Sequence, residues 1–199
     1  MYDDLIFERS PPPNRVGKCE GDHEKHFSEA AIMLAFAMHL FRSYPDIEEV
    51  KMHPDGMHGL GQFNIRAWLL KNGFEHIETH GTTAYAGLYR RTDGKHLRIR
   101  VQPGLGDVVA EGGKHRFFAE CKGGIINTIH GGQQSRLRSG LYETVGHLID
   151  HERDGERLVA VVPRTSLTAK LAQRMDANLR KIGIEIALID SKGKVALAQ

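Results

Sequence analysis

From Phe27 to Phe41 almost every position is apolar, with Phe27, Ala30, Ala31, Leu34, Met38 and Phe41 at helical spacing and Ile32, Met33, Phe36 and Leu40 filling the gaps. Such a pattern predicts a helix buried on several sides, not one with a single wet face. Ser28 is placed to cap it, Glu29 falls in its first turn, and Pro45 ends it. The preceding residues, 1–25, carry Pro11, Pro12 and Pro13, several charges and no periodicity, which predicts a loosely ordered arm ahead of a single domain spanning 26–199. A loop with a turn at Pro54-Asp55-Gly56 should follow the first helix. A second helix is expected over Gln62 to Asn72, with Gly73 as its stop.

The period then changes. Glu75–Thr79, Ala84–Arg90 and Leu97–Gln102 read as strands, the last two joined by a tight turn at Asp93-Gly94. Asp107–Ala110 and His115–Lys122 read as two more, joined around Gly112-Gly113. A helix over Gln134 to Ile149 buries Leu137, Leu141, Val145 and Leu148. Leu158–Val162 is nearly continuous in apolar residues, the signature of a parallel strand covered on both faces. A helix over Leu167 to Lys181, capped at Thr165-Ser166, leads to a further buried strand, Ile184–Ile189, and an edge strand at Val195–Leu197. The expected class is α/β, with a mixed central sheet flanked by helices.

Composition changes this picture little. The chain has 199 residues, 40% of them hydrophobic and 26% charged, with a formal net charge of +2. A strongly basic coat is excluded, so any nucleic-acid surface must be local. Two cysteines, Cys19 and Cys121, make no disulfide framework, and no signal-peptide pattern or membrane-length apolar run is present. The expectation is a cytoplasmic protein with no membrane partner. Cys19, His23 and His26 show a C-x3-H-x2-H spacing but lack a fourth zinc ligand nearby. No Walker A loop, dinucleotide fingerprint or Ser-His-Asp arrangement occurs in a suitable context.

Candidate chemistry centres on residues 103–124, PGLGDVVAEGGKHRFFAECKGG. Strand alternation sends Glu120 and Lys122 to one face and Phe117, Ala119 and Cys121 to the other. Asp107 opens the neighbouring strand beside glycines that permit close approach. Two carboxylates at one spot repel unless a cation lies between them, and oxygen donors of this kind suit Mg²⁺ or Mn²⁺.

Gly106-Asp107 followed by Glu120-Cys121-Lys122 resembles the motif of the PD-(D/E)XK nuclease superfamily, with Gly in place of its nominal Pro. The core of that family is a helix, three strands, a helix and a further strand, an order this chain contains. The stretch from Trp68 to Phe74 and the final helix-then-strand look like the Mrr-like branch. The resemblance spans roughly residues 61–198 and implies a restriction-endonuclease-like fold hydrolysing DNA phosphodiesters with Mg²⁺, for which Mn²⁺ can substitute. It implies Asp107, Glu120 and Lys122 as catalytic residues, and Asp107, Glu120 and the Cys121 main-chain carbonyl as metal ligands.

Family members often add an acid from the first helix. Over Gln62–Asn72 only Gln62 and Asn64 are offered, so Glu29 is the candidate replacement, equally readable as a helix-end acid facing the macrodipole. Gln134, Arg136 and Arg138 on the third helix are candidate phosphate or water contacts. DNA is the implied partner, with a homodimer compatible. Two alternatives stay open: a non-catalytic nucleic-acid-binding or assembly module of the same fold, and an RNA- or structure-directed nuclease.

Overall fold

The structure, a computed structural model, describes residues 2, 4–54, 63–101, 106–151 and 155–198. Its centre is the apolar helix α1, Glu29–Ser43, in which eleven residues are buried. The Ser28 hydroxyl accepts from the Ala31 N–H at 3.2 Å and Tyr44, followed by Pro45, closes the other end, as the sequence predicts.

Among the described residues nine strands form one mixed sheet. In chain order they are β3 (Glu49–Met52), β4 (Phe74–Thr79), β5 (Gly87–Arg91), β6 (His96–Ile99), β7 (Val108–Gly112), β8 (His115–Cys121), β10 (Arg157–Pro163), β11 (Ile184–Ile189) and β12 (Val195–Leu197). Their order across the sheet is β12-β11-β10-β8-β7-β3-β6-β5-β4. The strand pair β7/β8 is antiparallel, and β10 runs parallel to both β8 and β11.

Helices cover both faces. Strand β10 shows why its sequence is unbroken apolar: Val159 and Val161 join the core under α1. Leu158, Ala160 and Val162 join a second core with α3 (Gly131–Asp150) and α4 (Ser166–Lys181). Helix α4 starts as expected, on a reciprocal cap between Thr165 and Thr168. Among the described residues no helix is long and apolar enough to cross a membrane.

Three expectations need correction. The segment 1–25 is not a loose arm: β1 (Ile6–Arg9) and β2 (Glu24–Phe27) pair antiparallel, and β9 (Gly124–Ile125) completes a small sheet in the order β1-β2-β9. Its strands are two to four residues long and β9 lies far along the chain from β2, so no local period announces it. Strand β3 was expected to be loop. Only four residues long and carrying Glu49 and Lys51 between Val50 and Met52, it gives too short an alternation to stand out.

The helix expected over Gln62–Asn72 is the shorter α2 (Ile65–Lys71), capped by Asn64. With β4, β5 and β6 it extends the sheet beyond β3. Gln62, Gln102 and the Asp55-Gly56 part of the predicted turn lie outside the described residues. Of α1 and α2, it is α1 that packs against the motif strands, which brings Glu29 into consideration in place of an acid from α2.

Candidate active site

The β7–β8 hairpin sets the first side chains. Val108 lies opposite Ala119, which puts Asp107 opposite Glu120 on the neighbouring strand. Asp107 is held at both ends: its N–H donates to the Ala119 carbonyl at 3.0 Å, and its carbonyl accepts from the His53 N–H at 2.9 Å. His53 also donates from Nδ1 to the Gly106 carbonyl at 2.8 Å. Gly106 has φ +75°, a region closed to proline, and a Cβ there would come within 2.7 Å of the Phe118 ring. Glycine at this motif position is thus demanded by the local backbone.

Glu29 arrives from the other direction. Gly123, just past β8, passes so close to the start of α1 that a Cβ would stand 2.4 Å from the Phe27 carbonyl oxygen and 2.6 Å from the Glu29 nitrogen. This approach brings the Glu29 carboxylate to 3.6 Å from the Lys122 ammonium. Asp107, Glu120, Lys122 and Glu29 consequently gather at the end of β8.

The gathering has an electrostatic consequence. Burial pushes the Asp107 carboxyl from its ordinary 3.8 up to about 8. The Glu120 and Glu29 charges push the same way, against the Cys121 N–H, which donates to Asp107 Oδ2 at 2.7 Å. Burial opposes the charge on Lys122, but Glu29 and Glu143 outweigh it and raise the ammonium above its ordinary value. The cluster is short of positive charge even with Lys122 present.

Each carboxylate has a protein partner. Asp107 takes the Cys121 N–H, Glu29 faces Lys122, and Glu120 Oε2 lies 3.3 Å from His147 Nδ1. Among the described residues no three His, Cys, Asp or Glu side chains stand converged as a ready-made metal cage. Asp107, Glu120 and Glu29 are oxygen donors of the kind a hard divalent cation takes, each engaged by the protein partner just named. The Cys19-His23-His26 spacing forms no such cage; Cys19 Sγ donates to the Gly21 carbonyl and His26 Nε2 meets Glu24.

Cys121 points away. It is 2% exposed, sits in the core under α1, and burial holds its thiol well above the ordinary range. A protonated buried thiol is a small hydrophobe, not a nucleophile. Cys121→Ala should therefore keep whatever activity the site has, at a cost of about 1 kcal/mol in stability measured by denaturant melts.

Helix α3 forms the opposite wall, and the structure places its three sequence candidates differently. Arg136 lines a cleft of about 510 Å³ together with Glu29, Lys122, Gln133 and Glu143. Arg138, two positions on, lies roughly 200° further round the helix, off this wall. Gln134 is tied to its own loop through the Thr128 carbonyl at 3.4 Å, leaving Gln133 as the glutamine on the cleft. Glu143 (3.4 Å from Lys122 Nζ) and His147 were not singled out from sequence. Gly140 was their signal: a Cβ there would reach 2.8 Å from Lys122 Cγ, so the face bearing Arg136, Gly140, Glu143 and His147 is the one against β8.

Comparison of the chain with protein-family models, with curated proteins and with solved structures gives no match. The arrangement of side chains is what a functional reading has to rest on.

Proposed function

We propose that the protein is a metal-dependent nuclease that hydrolyses DNA phosphodiester bonds, with a restriction-endonuclease-like core. The observation that carries this reading is the Asp107 carboxyl, pushed up to about 8 by burial and by the Glu120 and Glu29 charges, at the strand end where Glu29 lies 3.6 Å from Lys122. An isolated surface Glu–Lys pair would not do this. The order of elements supports it too: α1, then β3, β7 and β8 side by side, then α3, then β10 beside β8, which is a helix, three strands, a helix and a strand. Helix α2 and strands β4–β6 are an insertion at the β3 edge.

Asp107, Glu120 and the Cys121 carbonyl would hold Mg²⁺, with Glu29 completing the oxygen set from α1. A divalent ion bound there supplies a Lewis acid for the phosphate and lowers the pKa of water. The chain's own contribution is positioning. Asp107 is fixed by three backbone bonds, and Lys122 is held by Glu29 and Glu143 with its ammonium charged, ready to orient water or offset charge growing on the phosphate. Arg136, on the cleft wall, reaches a backbone phosphate beside the one cleaved.

Calorimetric titration with Mn²⁺ checks this without relying on turnover. Wild-type protein should bind, Glu120→Gln should bind at least tenfold more weakly, and Glu29→Gln should weaken binding less. Equal binding by wild type and Glu120→Gln places the ion elsewhere and removes the reading. DNA contact has its own check. Arg136→Ala should reduce the slope of log affinity against log salt by about one, while Arg138→Ala leaves it unchanged. The opposite result would put the DNA on the other side of α3.

A further inference from the structure

The cleft beside the candidate active site has a second wall that the phosphodiester chemistry does not use. It is made by the small β1-β2-β9 sheet, which contributes Phe7, His26 and Ile125. Phe7 and His26 are a cross-strand pair on one face of that sheet, their rings stacked at 5.0 Å between centroids and 15° between planes. The pair is pinned from beneath. His26 Nε2 lies 3.1 Å from Glu24 Oε2, and Glu24, itself only 2% exposed, is gripped by Arg15 through two bonds of 2.6 and 3.0 Å. A buried carboxylate engaged on three sides fixes the histidine ring, and the histidine ring fixes Phe7.

This wall is tied to the catalytic strand. His26 pairs with Ile125, three residues beyond Lys122, and Phe7, His26 and Lys122 all line the same cleft. One cleft therefore offers an ammonium and a guanidinium, Lys122 and Arg136, at one side and a rigid aromatic face at the other. A paired base inside a duplex cannot present its face to such a wall. An unpaired base can, and stacking on an aromatic side chain is indifferent to base identity.

We infer that the β1-β2-β9 sheet is a docking platform for an unpaired DNA base next to the scissile phosphate. The Phe7–His26 pair takes the base and Arg136 a neighbouring phosphate. The inference builds on the nuclease reading and names its substrate class: DNA with a single-stranded or extruded nucleotide at the cut site, in preference to fully paired duplex.

The test separates the two. In an Asp107→Asn background, where cleavage is removed by design, fluorescence anisotropy compares a blunt DNA duplex with the same duplex carrying an unpaired 2-aminopurine nucleotide, at the 5′ end and the 3′ end in turn. One extended duplex should bind about tenfold or more tightly than the blunt one, with quenching of the 2-aminopurine. Phe7→Leu, which keeps an apolar side chain in the small sheet, should abolish both the preference and the quenching, whereas Phe7→Trp should retain them.

Equal affinity for blunt and extended duplex overturns the platform. So does a preference that survives Phe7→Leu. A single-stranded RNA that binds more tightly than DNA of the same sequence overturns the choice of DNA. Failure of wild-type protein to cleave any of these DNAs would count against the nuclease reading alone, since the binding comparison uses an inactive protein.

Discussion

Asp107→Asn should abolish Mg²⁺-dependent cleavage of DNA and, in the same protein, raise the melting temperature of the metal-free chain at pH 8. The loss of rate should be on the order of 10³-fold or greater, as expected when a group acting directly on charge in the transition state is removed. The gain in stability follows from the buried carboxyl. Its pKa in the folded chain is about 8 against an ordinary 3.8, so the folded state prefers it protonated. Stability from this group is intact below about pH 4 and is lost progressively as pH rises towards 8, because the unfolded chain releases the proton first.

Asparagine carries no proton to lose and its amide oxygen can still accept from the Cys121 N–H. Water reaching the half-buried site reduces the effect, and a gain of about 2 kcal/mol, or roughly 4–8 °C, is expected at pH 8 with none at pH 4. Saturating Mg²⁺ should raise the melting temperature of the wild-type protein but not of Asp107→Asn. Melting curves across pH, with and without chelator, check every part of this.

Gly123→Ala should have the second largest effect, although the residue bears no functional group. Its Cβ would collide with main-chain atoms of Phe27 and Glu29, which cannot rotate away as a side-chain tip could. The start of α1 and the end of β8 must then separate. Overpacking of this kind costs about 1–3 kcal/mol. The separation also carries Glu29 away from Lys122, and a displacement near 1 Å is enough to lose on the order of 10²-fold in rate. Gly131→Ala, on the same loop-helix segment but with open space around the added methyl, should leave both stability and rate close to wild type. If Gly123→Ala melts and cleaves like the wild type, the close contact between α1 and β8 is not what places Glu29.

The parts of this architecture visible in the sequence are those with a long or clean local period. Helix α1 and strand β10 declare themselves because burial on all sides leaves no polar position to interrupt them. The faces of Glu120 and Cys121 followed from alternation alone, and the structure keeps them apart as expected. Contacts made across the chain were invisible. Nothing near Glu24 announces a buried ion pair with Arg15, and β9 is two residues long, recognisable only by its partner β2. The third helix was legible, but of its candidates Gln134, Arg136 and Arg138 only Arg136 lines the cleft, because neighbouring positions on a helix fall on different faces. Gly140 identifies the cleft face, but only once Lys122 is seen lying against it.

The most direct measurement is cleavage of supercoiled plasmid DNA by wild-type protein and by Lys122→Met, each with Mg²⁺ and with excess chelator. Wild-type protein with Mg²⁺ should convert the plasmid to nicked and linear forms. Chelator should stop the reaction, and Lys122→Met, folded by its melting curve, should leave the plasmid supercoiled. Cleavage that persists in chelator or in Lys122→Met, or a wild-type protein that cuts nothing with either Mg²⁺ or Mn²⁺, would contradict a metal-dependent nuclease built on Asp107, Glu120 and Lys122.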